Sequence, residues 1–411
     1  MRINKRKFTD YSLVFLVIAI SGIPYFSTMA LYIPVFFLLV IVFIIRGYYL
    51  DKKFLIIMVI LTVIILSQTY TFQFYSLLNI TGIYLRIVIG YLIIKVLQEK
   101  FTIYYVHILY YLTFAGTTVY LFVVTMPPIA SIVKSVLVPI FRLFNIAHSH
   151  SYTVIVYNFD HIEAYRNSGP FWEPGAFGGY LIIAIIFLYF DDTIEEKSKK
   201  LKVFLFGLLT TISTTAIAAL IIFLFFYYFH KIKNISLKIG LIAFVIFGVY
   251  FVYISFDFIG KKIEHQYDVA TKGNAYGSNT DTQRFLSFLR DWEDFKGHEL
   301  AGRGFHPLTR FKYVDKADIR TVGFSDIIVR LGLPFFILTM ILLYKSIFVL
   351  IKHSSFPNTI SMRIGTVLTI FITLLSETYY LFPLYWSLSF LFLIKHKEPH
   401  LKLSQGKLSH G

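Results

Sequence analysis

Runs of about 20 apolar residues recur along almost the whole chain, from YSLVFLVIAISGIPYF near its start to YLFPLYWSLSFLFLI near its end. Each such run is long enough to carry a helix across the roughly 30 Å hydrocarbon core of a bilayer. Apolar surroundings cannot satisfy backbone polar groups, so a spanning segment must bond to itself as a helix or close into a barrel. Runs of this length, without strict alternation, point to helices. The sequence therefore predicts an all-α polytopic transmembrane bundle, one integral membrane domain over residues 1–411, with about 12 spans. These are expected at 10–26, 28–45, 54–70, 79–97, 101–126, 174–190, 202–213, 215–230, 239–256, 325–344, 364–380 and 382–394. The composition agrees: 57% hydrophobic and 15% charged, against about a quarter charged in soluble domains. The basic start followed by an apolar run reads as a first span, because no small-residue cleavage site follows it.

The formal charge of +16 is then an orientation signal. With the N-terminus inside, the inner segments gather more than half of the 39 lysines and arginines, including Arg46, Lys95 and the run Lys197, Lys199, Lys200 and Lys202. Short cytoplasmic loops of membrane proteins are enriched in this way, and a nucleic-acid partner is not required. Both termini are expected in the cytoplasm. One alternative would invert half of this arrangement: a single helix over 202–230. It would be about 44 Å long, and Ser213-Thr214-Thr215 offers a polar break within it, so two helices are expected.

Two long outer segments remain, 127–173 and 257–324. The first contains an apolar stretch at 129–144 interrupted by Lys134, Pro139 and Arg142, as in an amphipathic helix lying in the interface. The second includes a Gly/Asn/Ser-rich loop at 273–280 and helical periodicity in DTQRFLSFLRDWEDF, capped by Asp281 or Thr282. Arg86, Arg330 and Glu377 are charges set inside expected spans. A charged side chain at mid-span costs about 2.5–3.5 kcal/mol and less toward the edges. All three lie in the outer half, on the side of the long segments, which points to a polar cavity opening outward unless each merely reaches the headgroups. There are no cysteines, so disulfides and thiolate metal sites are excluded. No metal and no cofactor are expected, and Asp191-Asp192 reads as a solvated helix end on the inner side.

Where the first outer segment meets a span the sequence reads RNSGPFWEPGAFGGYL, residues 166–181. Pro174 suits the first turn of a helix and Glu173 its positive dipole end, while the glycines allow a backbone or ligand to approach closely. This stretch resembles the bacterial membrane glycosyltransferases of the O-antigen polymerase (Wzy-type) and O-antigen ligase (WaaL-type) family. Further matches follow in order: ISTTAI at 212–217, Arg284 opening a helix, HELAGRGF at 298–305, GFSDIIVRLGLPFF at 323–336 and LSETYYLFP at 375–383. The resemblance covers roughly 80–400 and implies transfer of a polyprenyl-diphosphate-linked oligosaccharide to a hydroxyl. The reaction is expected at the outer face of the bacterial cytoplasmic (inner) membrane, building O-antigen, capsule or exopolysaccharide. Arg166, Glu173 and Arg284 are the implied catalytic residues, with Arg86, Arg303, Glu377, His298 and His306 as substrate contacts. Membrane lipid, a chain-length regulator and a flippase are the implied partners. Ligases of the family carry a histidine where this chain has Thr321-Val322-Gly323, which favours polymerase over ligase. A transporter or flippase of lipid-linked sugars is the alternative of another class.

Overall fold

The computed structural model describes residues 5–142, 153–159, 165–240, 243, 283–312, 322–375 and 377–394. The expected span at 239–256, apart from 239, 240 and 243, and most of the second outer segment, at 257–282 and 313–321, lie outside them. The described residues form helices and no named strand: α1 (Lys5–Gly22), α2 (Met29–Ile45), α3 (Lys52–Phe72), α4 (Leu77–Leu97), α5 (Lys100–Thr125), α6 (Pro127–Arg142) and α7 (Pro174–Phe190), followed by α8 (Lys197–Thr210), α9 (Thr214–Lys231), α10 (Gln283–Phe295), α11 (Pro307–Arg310), α12 (Gly323–Lys352), α13 (Ile360–Thr373) and α14 (Pro383–Phe390). Four of them, α3, α4, α5 and α12, are long and apolar enough to cross a membrane. α2, α6, α7, α9, α13 and α14 are apolar but shorter.

Helices reverse at short polar connections, so the bundle has two ends. We call the end where α7 begins the mouth and the other the floor. The split expected at Ser213-Thr214-Thr215 is present: α8 stops at Thr210 and α9 starts at Thr214. The Ser213 hydroxyl accepts from Ala216 N at 3.4 Å, capping α9. Ile212 takes a left-handed φ of 49°, a conformation costly for a β-branched residue. α7 runs beside α9, with Gly178 against Ala216 near the mouth and Phe190 against Phe223 near the floor.

The last apolar run differs from its expectation. Instead of a span over 382–394 there is the eight-residue α14, every residue buried, and a 3-10 turn at Leu391–Leu393. At 1.5 Å per residue α14 rises only about 12 Å. It plugs the centre of the bundle against α4, where a Cβ on Gly90 would lie 2.7 Å from both Pro383 O and Trp386 Cβ. α12 is broken as well. Gly332, at φ 79° and ψ 161°, interrupts it two residues before Pro334. The carbonyls released there are taken up: Arg303 N donates to Val329 O at 2.6 Å, Gly304 N to Arg330 O at 3.0 Å, and Gln68 Nε2 from α3 also to Arg330 O at 2.7 Å.

At the floor, two basic residues counted above as orientation markers are consumed in pairs. Arg46 contacts the buried Asp10 at 2.5 Å and donates to Val96 O at 2.8 Å. Lys95 contacts Asp51 at 2.9 Å, whose carboxylate also accepts from Tyr91 at 2.9 Å. Asp192, expected as a solvated helix end, contacts Lys197 at 3.1 Å and accepts from Ser355 N, tying the α7–α8 turn to the α12–α13 turn.

Candidate functional site at the mouth of the bundle

The segment before α7 is anchored to the α8–α9 break. Asn167 N donates to Thr210 O at 3.0 Å. Its side-chain amide donates to Thr210 Oγ1 at 2.9 Å and Thr117 Oγ1 at 3.2 Å, while its Oδ1 accepts from Gly169 N at 2.8 Å. Asn167 and Ser168 are fully buried. Their neighbour Arg166 is half-buried and donates through Nε to Thr211 O at 3.2 Å. A polar break in one apolar run thus holds a polar loop leading into another.

Four residues after Gly169, Glu173 is the N-cap of α7 and Pro174 its first helical residue. Glu377 arrives from the α13–α14 connection. A Cβ placed on Gly175 would lie 3.2 Å from Glu173 Oε1 and 3.3 Å from Glu377 Oε1, so both carboxylates close on one point above the helix start. Trp172 Nε1 donates to Glu377 Oε2 at 3.0 Å, and its ring packs against Phe382, centroids 5.0 Å apart. Gly179 is required here: a Cβ on it would sit 1.9 Å from the Tyr379 hydroxyl, which bonds Gly175 O at 3.0 Å. Two carboxyl groups at one point of a helix N-terminus can accept a hydroxyl proton or hold a cation. The helix dipole favours their charged form there.

The other expected residues are distributed. Arg284 lies in the first turn of α10, and its side chain is outside the described residues. Arg303, His298 and His306 form a second group at the end of α3. Arg303 lies over the Phe72 ring at 5.3 Å, His298 against Phe72 at 5.0 Å and His306 against Phe74 at 4.5 Å. His306 is also the N-cap of α11. Arg86 stands apart on α4. It lies over the Tyr32 ring at 5.6 Å with Met29 Sδ 4.0 Å from Nη2, and its buried Nε has no hydrogen-bond partner among the described residues.

The largest charged assembly at this end involves residues that the sequence did not single out, Arg330 excepted. Arg310 is fully buried. Its Nε donates to Asp326 at 2.8 Å, Nη1 to Asp294 at 3.1 Å and Nη2 to Asp291 at 2.5 Å. Ser325 donates to Asp291 at 2.6 Å, Arg330 to Asp326 at 2.8 Å, and Tyr380 also to Asp326. Burial pushes the Asp291 carboxyl up against the opposing pull of Arg310. Burial would lower the Arg310 guanidinium, and Asp326 and Asp291 outweigh it and hold it charged. Arg330, expected to line an open cavity or reach the headgroups, is instead one cation of this cluster. A weak signal existed: Asp326 and Arg330 are four apart on one helix face, and Asp291 and Asp294 three apart on another.

Compared with known protein-family models, curated proteins and solved structures, the chain matches none.

Proposed function

We propose that this chain is a metal-independent membrane glycosyltransferase. In this reading it joins polyprenyl-diphosphate-linked repeat units to a sugar hydroxyl at the outer face of the bacterial cytoplasmic membrane, as a polysaccharide polymerase. The observation that carries the reading is the meeting at one helix start of Glu173 and Glu377, from stretches about 200 residues apart, next to a loop anchored through Arg166 and Asn167. Both stretches belong to the set on which the family resemblance rests.

In the proposed reaction the acceptor hydroxyl oxygen bonds to the donor's anomeric carbon. The bond from that carbon to the diphosphate oxygen breaks, and its electron pair leaves with the lipid diphosphate. The hydroxyl proton passes to Glu173, with Glu377 and Trp172 fixing the local geometry; general bases of this kind contribute about 10²–10⁴-fold. Arg166 and Arg284 are assigned to the charge growing on the diphosphate, a role to which guanidinium geometry is suited.

A broken α12 also fits a transporter, in which carbonyls freed at a helix break coordinate ions. Here Val329 O and Arg330 O are already bonded by Arg303 N, Gly304 N and Gln68, which supports the enzyme reading. The test is to incubate the reconstituted protein with a polyprenyl-diphosphate-linked repeat unit and resolve the products on a gel. A ladder lost in Arg166→Ala and Arg284→Ala, with melting behaviour unchanged, is expected. Transfer only on addition of lipid A core would make the protein a ligase. No new glycosidic bond with the cognate donor would end the enzyme reading in favour of transport.

A further inference from the structure

The outer face of the α12–α13 hairpin, at the floor of the bundle, carries cations and no acid. The chain has no aspartate or glutamate at 327–376, which takes in nearly all of α12 and the whole of α13. It has none at 214–256 either, which includes α9, packed beside α13 through Phe226 and Gly365. The carboxylate that does reach the α12–α13 turn, Asp192 at Ser355 N, contacts Lys197 at 3.1 Å. Arg363 closes the first turn of α13, and its guanidinium is held against α12. Nε donates to Asn358 Oδ1 at 2.6 Å, Nη2 donates to Asn358 O at 3.0 Å and Nη1 reaches the Tyr344 hydroxyl at 3.5 Å. The group also lies over the Phe348 ring at 4.4 Å. Every one of these partners is neutral. A guanidinium carries five N–H donors, so the three bonds leave one on each terminal nitrogen. On α12, Tyr344 and Phe348 share a face with Lys345 and Lys352 at spacings of three and four, and both lysines are exposed. That face continues away from the floor through the exposed Ile341 and Ile337, and α13 continues from Arg363 through the exposed Ile364 and Leu368.

A cation in the first turn of a helix shares the positive end of the helix dipole, the costly end for it. A phosphate answers both the guanidinium and the helix end. Exposed apolar strips leading away from the headgroup level suit acyl chains, and basic positions between helices at a membrane surface bind acidic headgroups. We propose that the floor end of this hairpin binds one anionic phospholipid. Its phosphate lies on Arg363 and Lys345, and its acyl chains run along Ile337, Ile341, Ile364 and Leu368. Attraction of acidic lipid to a basic surface is spread over all its lysines, whereas a guanidinium fixed by Asn358 and Phe348 gives the phosphate one position. The donor and acceptor sugars are assigned to the mouth, at the other end of the bundle, so this inference does not depend on the transfer reaction.

The test is native mass spectrometry of the full chain released from detergent micelles that hold phosphatidylglycerol and phosphatidylcholine in equal amounts. A retained phosphatidylglycerol is expected, with the phosphatidylcholine adduct about fivefold weaker or less. Arg363→Gln should lower the phosphatidylglycerol adduct by about fivefold. Lys345→Gln, on an exposed side chain that takes no part in the guanidinium's bonds, should lower it severalfold, so the outcome does not hang on the folding of the arginine variant. Lys233→Gln removes the same charge from an exposed position just beyond the floor end of α9 and should leave the adduct unchanged. Equal retention of the two lipids, or an undiminished adduct in both Arg363→Gln and Lys345→Gln, overturns the proposal. So does an equal loss in Lys233→Gln, because it marks general attraction to the basic floor. Displacement of the lipid by inorganic phosphate at the lipid's own concentration also overturns it, because it marks a bare anion site with no use for acyl chains.

Discussion

The Arg310 cluster and the Glu173–Glu377 pair are polar assemblies at the same end of one bundle, and they are built on opposite rules. In the first, a buried guanidinium is enclosed by Asp291, Asp294 and Asp326, with Ser325, Arg330 and Tyr380 as further donors. Opposite charges answer one another without solvent, and the cluster joins α10, α11 and α12. In the second, two carboxyl groups are brought to one glycine at a helix start. Carboxyl groups gathered in this way are characteristic of functional sites. The first fastens the bundle, and the second is where chemistry is expected. One short stretch serves both: Glu377 faces Trp172 while Tyr380 donates to Asp326. The same short connection thereby links Glu377 to the Arg310 cluster.

That contrast breaks most visibly through Arg310. Arg310→Met leaves the aspartates buried without their central cation, and removing one partner of a buried ion pair costs about 3–5 kcal/mol. The expected outcome is a large fall in melting temperature or loss of monodisperse protein. A variant as stable as the parent would show that the cluster fastens nothing. The carboxylate pair should behave in the reverse way. Glu173→Gln keeps the size and shape of the side chain, so the melting temperature should hold while transfer falls by about 10²–10⁴-fold. A Glu173→Gln protein with full transfer and lowered stability would reverse the roles assigned to the two assemblies.

The smallest effect concerns pH. Burial, then the Arg303 charge, hold His298 below its ordinary value of 6.5, against a weaker upward pull from Glu299. The unfolded chain therefore takes up the proton first, so this contribution to stability is full above that value and is lost as pH falls toward the lower folded value. Melting temperature should drop more between about pH 7.5 and about pH 5.5 in the parent than in His298→Phe. Equal slopes would remove His298 from the packing at the end of α3.

Much of this is legible along the chain, and the reasons are local. The Ser213 break and Pro174 opening α7 each depend on a few consecutive residues, and each appears where the sequence places it. What fails is what needs a partner far away. Arg310 reads as an unremarkable loop residue because its carboxylates lie 16 to 19 positions off on two other helices. Lys95 and Arg46 read as topology markers because Asp51 and Asp10, 44 and 36 residues away, carry no periodic signal toward them. The run at 382–394 reads as a span because hydropathy cannot separate a helix buried in protein from one buried in lipid.

From sequence alone this protein is an α-helical chain with helices fit for a membrane, since hydrophobicity and helix signals are sums over neighbouring residues. Only the tertiary structure decides that α14 sits wholly inside, that Glu173 meets Glu377, and that Arg310 stands among three aspartates. Charge pairing and burial depend on distance in space, and in a bundle that distance is set by how the helices pack rather than by their order along the chain.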